Sequence, residues 1–473
     1  MGNGIQYLEN DPTNSTKTYG LDGQITVWRE ENHEDADPNI EASEGDHVYL
    51  YINMRRGGGQ YYALDVTDRQ NPTLMWQIAG GAGDFLDLAQ TWSAPKLANV
   101  QWDCTAGGTG CSTRTVLLFG GGYDTAHDTA TSVTTNDAGA AVFMVDAVTG
   151  DLLWSAGRPN SPGDDHDLEL AEMDNSIPAD LTLVDTTNDG YLDIFFGVDV
   201  VGNVWRFDIN DAPTGADDFA TGGRIALLGD HDTDSSNDAA NFRRFFYAPD
   251  VAFFAPRGGR AFFSISMTSG YRAHPRDATV TDRVYVLFDQ NVFDVPRNED
   301  GDVDYATLDD TDADPLDESD LFDATSTLAD RHTTAPHGWY KTFQGANEKG
   351  LARSTTFNRS LLFTTYLPTS GASVCGASIG SGRTYVVNAL TGGGLIEDSF
   401  SGAFAEYMDL MHVGIPAAPV IIFTDASETY TDAEGIEHTN IQSRPIVCVG
   451  SECFDDLLED AEPVSRTYWR ENS

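Results

Sequence analysis

The segment VFMVDAVTGDLLW, residues 142–154, contains the pattern that decides the fold of this chain. A short apolar run is followed by a turn of Asp, Thr and Gly, and a Trp closes the segment. Runs of β-branched and aromatic residues bounded by Gly, Pro, Asn or Asp are typical of β-strands joined by tight turns. Variants of the segment recur at residues 61–76, 202–210, 283–289 and 383–396.

Further strand-like runs lie between these copies, and no convincing long amphipathic helix is found. The runs are residues 47–54, 114–124, 191–199, 260–271 and 360–368. Several four-stranded units, each with such a turn and a Trp that packs against its neighbour, describe a β-propeller. We therefore predict an all-β chain that forms a β-propeller of about seven blades.

The repeats are farther apart than the ~40–50 residues of an ordinary blade, which predicts elaborated blades or inserted loops. The acidic stretches 211–238 and 294–320 are the clearest candidates for inserted loops. A pair of β-sandwich domains is the alternative fold. It does not account for the recurrent Asp, Thr-Gly and Trp pattern.

The charge balance of the chain excludes two classes of partner. The 473 residues include 27 Lys and Arg against 75 Asp and Glu, a net charge of −48. This field repels polyphosphate and anionic lipid, so nucleic acid and membrane surfaces are not expected as partners. Hydrophobic residues at 40% and aromatic residues at 11% are sufficient for a folded core.

The signals of membrane insertion and export are also missing from the sequence. No run of ~18 or more apolar residues occurs. The opening residues lack both a basic region and an apolar region. We expect neither a membrane span nor an export signal within the chain.

Four of the five cysteines form two close pairs, Cys104 with Cys111 and Cys448 with Cys453. This usage predicts two disulfides that close hairpins, and therefore an exported protein. Reduced surface thiols are the alternative, and neither pair has the CxxC spacing of a zinc site. Cys375 is left over as the odd cysteine.

A larger set of phrases extends in a fixed order over nearly the whole chain. They are YYALDVTDRQNP (61–72), QTWSAP (90–95), FGGGYDT (119–125), the block 175–209, RRFFYAPDV (243–251), SGYRAHP (269–275), FTTYLPT (363–369) and RTYWR (466–470). Together they resemble the C-terminal β-propeller of PilY/PilC-type proteins, which are type IV pilus biogenesis factors and tip-associated adhesins. The segment VDAVTGDLLW is in addition similar to the repeats of quinoprotein dehydrogenase propellers.

The PilY/PilC resemblance implies a calcium-binding pilus protein that regulates pilus extension and retraction and supports twitching motility and surface adhesion. The implied partners are pilins or minor pilins at the pilus tip, and host or abiotic surfaces. The implied location is the cell surface, at the pilus tip or associated with the outer membrane. We assign residues 1–45 to a segment that leads into or completes the first blade, and residues 46–473 to the propeller domain.

One turn in the block 175–209 has the spacing of a calcium-binding loop. In DTTNDGYLD, residues 185–193, side-chain oxygens stand at positions 1, 3, 5 and 9, and Gly stands at position 6. This is the first three-quarters of an EF-hand-like loop, in which position 7 contributes a carbonyl. Oxygen ligands on a flexible loop favour calcium over zinc and magnesium. Phe196 stands where an EF-hand has its Glu, so we predict a calcium-binding hairpin loop.

PilY-type propellers have a calcium site of the DxDxDGxxD kind at the matching place. The resemblance therefore implies Asp185, Asp189 and Asp193 as ligands, together with the carbonyl of Tyr191. Thr187 departs from the family pattern, because it offers a neutral hydroxyl, or leaves room for a water, where a carboxylate is expected. This weakens the expected binding, to a dissociation constant of roughly 10⁻⁵–10⁻³ M.

The alternative for the same residues is an ordinary Asp/Asn-Gly turn that needs no metal. Three carboxylates within nine residues repel one another, which favours a bound cation. A second acidic set has similar spacing, but Ser235 replaces the turn Gly, and its members are Asp230, Asp232, Asp234 and Asp238. The segment NEDGDVD, residues 298–304, lacks a first ligand, and we predict a solvent-exposed turn there.

The main alternative function is a calcium-dependent, periplasmic quinoprotein dehydrogenase that uses pyrroloquinoline quinone, because such enzymes share the propeller. These enzymes hold the quinone under vicinal cysteines and commonly attach haem through CxxCH, and neither pattern occurs here. The histidines are scattered, and HExxH and phosphate-loop motifs are missing. We therefore predict no catalytic residues and no enzyme activity.

Overall fold

The computed structural model describes residues 19–31, 40, 42–105, 110–129, 137–159, 166–229, 241–298, 300–306, 314–330, 333–369, 380–397, 403–431, 437–455 and 457–458. These residues form β-strands and short 3-10 helices, and no α-helix is found among them. Two compact units are present, one of residues 1–248 and 291–317 and one of residues 249–290 and 318–473. The 3-10 helices are Ala42–Glu44, Arg55–Gly57, Gly83–Phe85, Thr125–Asp128 and Ala216–Asp218.

The described part of the first unit contains three sheets, each built from strands that follow one another along the chain. Sheet 1 consists of β1 (Ile25–Glu30), β2 (His47–Asn53), β3 (Gln60–Asp65) and β4 (Thr73–Ala79). Sheet 2 consists of β5 (Lys96–Trp102), β6 (Ser112–Gly120), β7 (Ala141–Asp146), β8 (Leu152–Gly157) and β9 (Leu168–Glu169), with β9 parallel to β8. Sheet 3 consists of β10 (Thr182–Val184), β11 (Ile194–Val198), β12 (Asn203–Ile209) and β13 (Ala220–Leu227).

The second unit is also built from sheets of mostly antiparallel strands. Sheet 4 has the order β14 (Asp250–Phe254), β15 (Phe262–Thr268), β16 (Arg283–Asp289), β18 (Gly338–Thr342) and β17 (Phe322–Asp323). Sheet 5 has the order β19 (Lys349–Gly350), β21 (Ser360–Leu367), β22 (Ser381–Asn388) and β25 (Tyr407–Val413), with β20 (Thr355–Phe357) also paired to β21. Two smaller sheets are formed by β23 (Ile396–Glu397) with β24 (Phe404–Ala405), and by β26 (Pro419–Thr431), β27 (Glu437–Val449) and β28 (Glu452–Phe454).

In the first unit, a tryptophan of sheet 1 packs on the turn that follows β7 in sheet 2. The Nε1 of Trp76 donates a hydrogen bond to the carbonyl of Ala147 at 3.1 Å. Gly150, in the same DAVTG turn, has a φ of 77°, and a Cβ there would lie 2.7 Å from the Trp76 ring. Only glycine satisfies both the positive φ and the close approach of the indole.

The second unit repeats this arrangement with different residues. The Nε1 of Trp339 in sheet 4 donates to the carbonyl of Ala389, which follows β22, at 2.9 Å. The turn sequence is NALTG, and its Gly392 has a φ of 70° and lies beside the Trp339 ring. The predicted packing of a repeat Trp against a neighbouring sheet is therefore confirmed for Trp76, and Trp339, which lies outside the predicted repeats, packs in the same way.

The first predicted insert is wrong in part, because β13 lies inside residues 211–238 and forms the fourth strand of sheet 3. The sequence of β13, ATGGRIAL, contains two glycines, which weaken a strand pattern. The second insert interrupts the second unit along the chain, since residues 291–317 belong to the first unit while residues 249–290 and 318–473 belong to the second. Its Leu316 forms a parallel bridge with Ala226 of β13.

Five sheets of the described residues have four or five strands, the size of a propeller blade. The number of about seven blades stays a prediction. The strand β1 lies within residues 1–45 and pairs with β2, and the boundary between residues 45 and 46 also stays a prediction. In the described part of the chain, no helix has the length and apolar character needed to cross a lipid bilayer.

Both predicted disulfides are confirmed. Cys104 and Cys111 lie between β5 and β6 and close the connection of this strand pair. Cys448 and Cys453 stand opposite each other in the pairing of β27 with β28. Cys375 lies outside the described residues.

Candidate functional site

The predicted calcium-binding residues lie on the connection between β10 and β11, which we call the candidate loop (residues 185–193). The last pair of the two strands is Val184 with Ile194, so Asp185 and Asp193 stand at the two ends of the loop. The backbone N–H of Asp193 donates to the carbonyl of Val184 at 3.1 Å. The strand pairing therefore holds the first and last predicted ligands at the base of one hairpin.

The candidate loop folds around the carboxylate of Asp185. One oxygen, Oδ1, accepts the backbone N–H groups of Asn188 at 2.6 Å and Asp189 at 3.3 Å, and Oδ2 accepts that of Gly190 at 2.9 Å. Asn188 and Gly190 have φ values of 56° and 89°, so the backbone turns sharply at both positions. Asn and Gly are the residues that adopt this conformation at least cost.

The other two carboxylates are also held by the loop backbone. Oδ2 of Asp193 accepts the N–H of Thr186 at 2.6 Å, its hydroxyl at 2.7 Å and the N–H of Thr187 at 3.0 Å. Oδ1 of Asp189 accepts the N–H of Tyr191 at 2.9 Å. These bonds restrict the orientation of the carboxylates, as in a preorganised ion site, but they also satisfy an ordinary turn.

The residues present fit calcium in their chemistry and in the path of the backbone. All side-chain donors of the candidate loop are oxygens, and Asp185 and Asp189 are exposed while Asp193 is half-buried. The hydroxyl of Thr187 lies at a long 3.4 Å from Oδ1 of Asp185. Among the residues that the structure describes, no three His, Cys, Asp or Glu side chains are gathered as a metal-binding group. The ligand set of Asp185, Thr187, Asp189, Tyr191 and Asp193 therefore stays a prediction.

The candidate loop also contacts the neighbouring sheet through residues that the sequence analysis assigned no such role. The N–H of Leu192 donates to the carbonyl of Asn99 in β5 at 2.9 Å. The hydroxyl of Tyr191 lies 2.8 Å from that of Thr113 in β6. Tyr191 and Cys111 line a shared cavity of about 290 Å³, so the loop lies beside the Cys104–Cys111 disulfide. These contacts join segments far apart in sequence, and no local pattern predicts them.

The turn at residues 298–304, which we call the comparison turn, has a similar local design. Oδ1 of Asn298 accepts the N–H groups of Asp300 at 3.1 Å and Asp302 at 3.0 Å. Gly301 has a φ of 85°. Residues 300–303 are exposed, so the predicted solvent-exposed turn is confirmed. The second acidic set, Asp230, Asp232, Asp234 and Asp238, lies outside the described residues.

Two histidines that are isolated in sequence have close polar neighbours in the structure. Nε2 of His127 lies 2.5 Å from Oδ2 of Asp137, and both residues are buried. His166 lies between Ser155, at 3.0 Å, and Asp87, at 3.2 Å. This order of groups resembles a hydrolase triad, but Ser155 is only 3% exposed, so its hydroxyl is not accessible to a substrate. These groups are structural polar contacts of the first unit.

Comparison with known proteins gives a consistent result in sequence and in structure. No protein-family model matches the chain. The type IV pilus biogenesis factor PilY1 of Pseudomonas aeruginosa strain PAO1 is 28% identical over 178 residues. The crystal structure of the PilY1 C-terminal domain from the same species matches with a TM-score of 0.54 and 18% identity, covering 86% of this chain and 80% of that chain. The chain is therefore similar to PilY1 in sequence over this segment, and it shares the fold of the PilY1 C-terminal domain.

The predicted fold class is thereby confirmed as a β-propeller. The match to PilY1 in sequence covers 36% of this chain and spans 12% of the length of that relative. PilY1 is named as a pilus biogenesis factor and not as an enzyme, in agreement with the prediction of no enzyme activity. A quinohemoprotein alcohol dehydrogenase from Comamonas testosteroni matches with a TM-score of 0.33 and 10% identity, which is too low to support an argument.

Proposed function

We propose that this PilY1-type domain acts in type IV pilus biogenesis at the cell surface, and that calcium binding by the candidate loop regulates pilus extension and retraction. The similarity to PilY1 supports the pilus role. Two disulfides support an exported location. In this proposal the domain contacts pilins or minor pilins at the pilus tip, and it supports twitching motility and adhesion to host or abiotic surfaces.

The observation that carries the calcium proposal is that the candidate loop holds charged carboxylates, with Asp185 at its centre. Three N–H groups fix this carboxylate, and three hydrogen bonds fix Asp193 at the other end of the loop. Holding carboxylates in one short loop concentrates negative charge in a chain that already carries −48. A bound calcium ion supplies the positive charge that offsets it.

Calcium affects the protein to the extent that it binds one state of the loop better than another. Binding only to the ordered loop stabilises that state by about 2.7 kcal/mol at a hundredfold excess over the dissociation constant. The ordered loop contacts sheet 2 through Tyr191 and Leu192. Calcium bound by the candidate loop therefore acts where sheet 3 contacts sheet 2 in the first unit. In this proposal, calcium binding there changes the state of a loop that docks a pilus partner.

Calcium titration of the purified chain tests this proposal. Asp193→Asn removes one negative charge but keeps an oxygen that can accept the N–H groups of Thr186 and Thr187. We expect calorimetry to give an affinity for calcium at least about tenfold lower than that of the wild type, a difference of about 1.4 kcal/mol. Asp300→Asn, in the comparison turn, is the matched control and is expected to leave the affinity unchanged.

The same two variants separate calcium binding from the pilus role in the source bacterium. We expect fewer surface pili and a smaller twitching zone with Asp193→Asn than with Asp300→Asn. Equal calcium affinity of wild type and Asp193→Asn contradicts the ligand assignment. Normal piliation in a variant that has lost calcium binding contradicts the regulatory role while leaving the site intact.

A further inference from the structure

A cavity of about 340 Å³ lies in the second unit, away from the candidate loop in sequence and assigned to no role. Phe254 and Phe262 stand opposite each other in β14 and β15, and their rings stack with centroids 5.4 Å apart. Pro256 and Leu390 add further apolar surface. The remaining lining residues are Ala255, Ala329, Asp330, Arg359 and Thr391.

The turns that surround this cavity are tied to one another by backbone hydrogen bonds. The N–H of Ala389 donates to the carbonyl of Arg359 at 2.8 Å, and that of Ala329 donates to the carbonyl of Thr391 at 2.9 Å. The turn after β22 is further fixed by Asn388, whose carbonyl accepts the N–H groups of residues 391 and 392. The cavity is therefore preformed, as binding sites for small groups usually are.

Arg359 has a backbone conformation that its side chain does not favour. It forms, with Asn358, the two-residue turn between β20 and β21, because Phe357 pairs with Ser360. The φ values of Asn358 and Arg359 are 46° and 68°. Such a hairpin turn requires positive φ at both positions, and Asn-Gly is the sequence that suits it. Arg359 therefore stands at the position where the turn favours Gly. Such exceptions to the local backbone preference are common where a side chain has a function.

The guanidinium of Arg359 is exposed at the cavity and makes no ion pair or hydrogen bond with the described residues. The three described lysines, in contrast, each pair with a carboxylate: Lys96 with Asp180, Lys341 with Glu406 and Lys349 with Asp282. Arg257 and Arg260 are exposed on the turn that follows Pro256. One carboxylate, that of the exposed Asp330, also lines the cavity, so three arginines stand against one aspartate in a chain with 27 basic and 75 acidic residues.

We propose that the cavity binds an apolar side chain that is adjacent to a carboxylate on a partner polypeptide. The apolar side chain packs against Phe254 and Phe262, and the carboxylate pairs with Arg359. The volume is near the lower end of the range for small-molecule sites, ~300–1,000 Å³, and suits a single large side chain. The apolar lining complements the apolar side chain. The three exposed arginines Arg257, Arg260 and Arg359 outnumber the one lining carboxylate, Asp330, which favours an anionic group over a cationic one. The proposal does not depend on calcium binding by the candidate loop.

The probes for this site are two capped dipeptides, acetyl-Phe-Asp-amide and acetyl-Phe-Asn-amide, and the small acid 3-phenylpropionate. We expect the Phe-Asp peptide to bind the full chain in a saturable way, about tenfold more tightly than the Phe-Asn peptide, because one charge-assisted pair is involved. Arg359→Gly removes the cation and suits the positive φ. It is expected to lower the affinity for Phe-Asp about tenfold while leaving the chain equally or more stable.

Two further variants complete the test. Ala255→Trp at the exposed rim is expected to abolish binding of both peptides by filling the cavity. Arg69→Gly, which removes an exposed arginine of the first unit, is the matched control and is expected to change nothing. Equal affinity for the two peptides, no saturable binding of either, or full affinity in Arg359→Gly overturns the proposal. Binding of 3-phenylpropionate without binding of the Phe-Asp peptide overturns the polypeptide as the occupant.

Discussion

The candidate loop and the comparison turn are two acidic turns of the first unit with closely related backbones. Each turns at a glycine with positive φ, 89° at Gly190 and 85° at Gly301. In each turn, backbone N–H groups donate to the side chain of one residue. The acceptor is the Asp185 carboxylate in the candidate loop and the neutral Asn298 amide in the comparison turn. The shape of such a turn therefore does not require a metal, and the case for calcium rests on the charge of Asp185.

Removing carboxylate charge from the candidate loop should have the largest effect on stabilisation by calcium. The double variant Asp185→Asn/Asp193→Asn keeps acceptor oxygens at both ends of the loop but leaves Asp189 as the only aspartate of the loop. We expect calcium at a hundredfold excess over the wild-type dissociation constant to stabilise the wild type by about 2.7 kcal/mol and the double variant by nearly nothing. Scanning calorimetry with calcium and with chelator measures this difference. An equal calcium-dependent shift of the melting temperature in both proteins contradicts the account.

Adding a carboxylate to the candidate loop should raise its calcium affinity, by a smaller amount than removing two carboxylates lowers it. Thr187→Asp restores the fourth carboxylate of the DxDxDGxxD pattern, and calcium affinity rises with the number of charged ligands. We expect a gain of about tenfold in affinity, or about 1.4 kcal/mol. Competition with a calcium-sensitive dye measures it. An unchanged or weaker affinity indicates that Thr187 does not face the ion.

The smallest expected effect tests the similarity of the two backbones. A Cβ at Gly190 or at Gly301 meets no atom within 4 Å, so the cost of Ala comes from the positive φ alone. We expect Gly190→Ala and Gly301→Ala each to lower the free energy of unfolding of the calcium-free protein by about 1 kcal/mol. Chemical denaturation in the presence of chelator measures both. If the free energy of unfolding falls for only one of the two variants, the two turns are not equivalent.

Local sequence patterns predicted the features of the fold that depend on short segments. The recurrent turn and Trp correctly indicated the packing of Trp76, because the glycine and the indole are both readable in the sequence, whereas Trp339 lies outside the recognised repeats. The close cysteine pairs predicted both disulfides. The strand β13 was missed because its two glycines resemble a loop, although it completes sheet 3.

Features that join distant segments were not predictable in the same way. The contact of Tyr191 with Thr113 depends on how sheet 3 meets sheet 2. The cavity beside Phe254 and Phe262 is assembled from five separate segments of the second unit. One local signal was present there, because the pair Asn358-Arg359 stands between two strand-like runs, as a hairpin turn does. The sequence could not indicate that this Arg would face an apolar cavity.

The proposed regulation depends on calcium binding by the carboxylates of the candidate loop. A crystal structure of the chain grown in millimolar calcium tests this binding most directly. We expect one ion inside the candidate loop, with about six to eight oxygen neighbours at ~2.3–2.6 Å that include Asp185, Asp189 and Asp193 and the carbonyl of Tyr191. A loop held only by its own hydrogen bonds, with the three carboxylates directed to solvent and no ion between them, would contradict it.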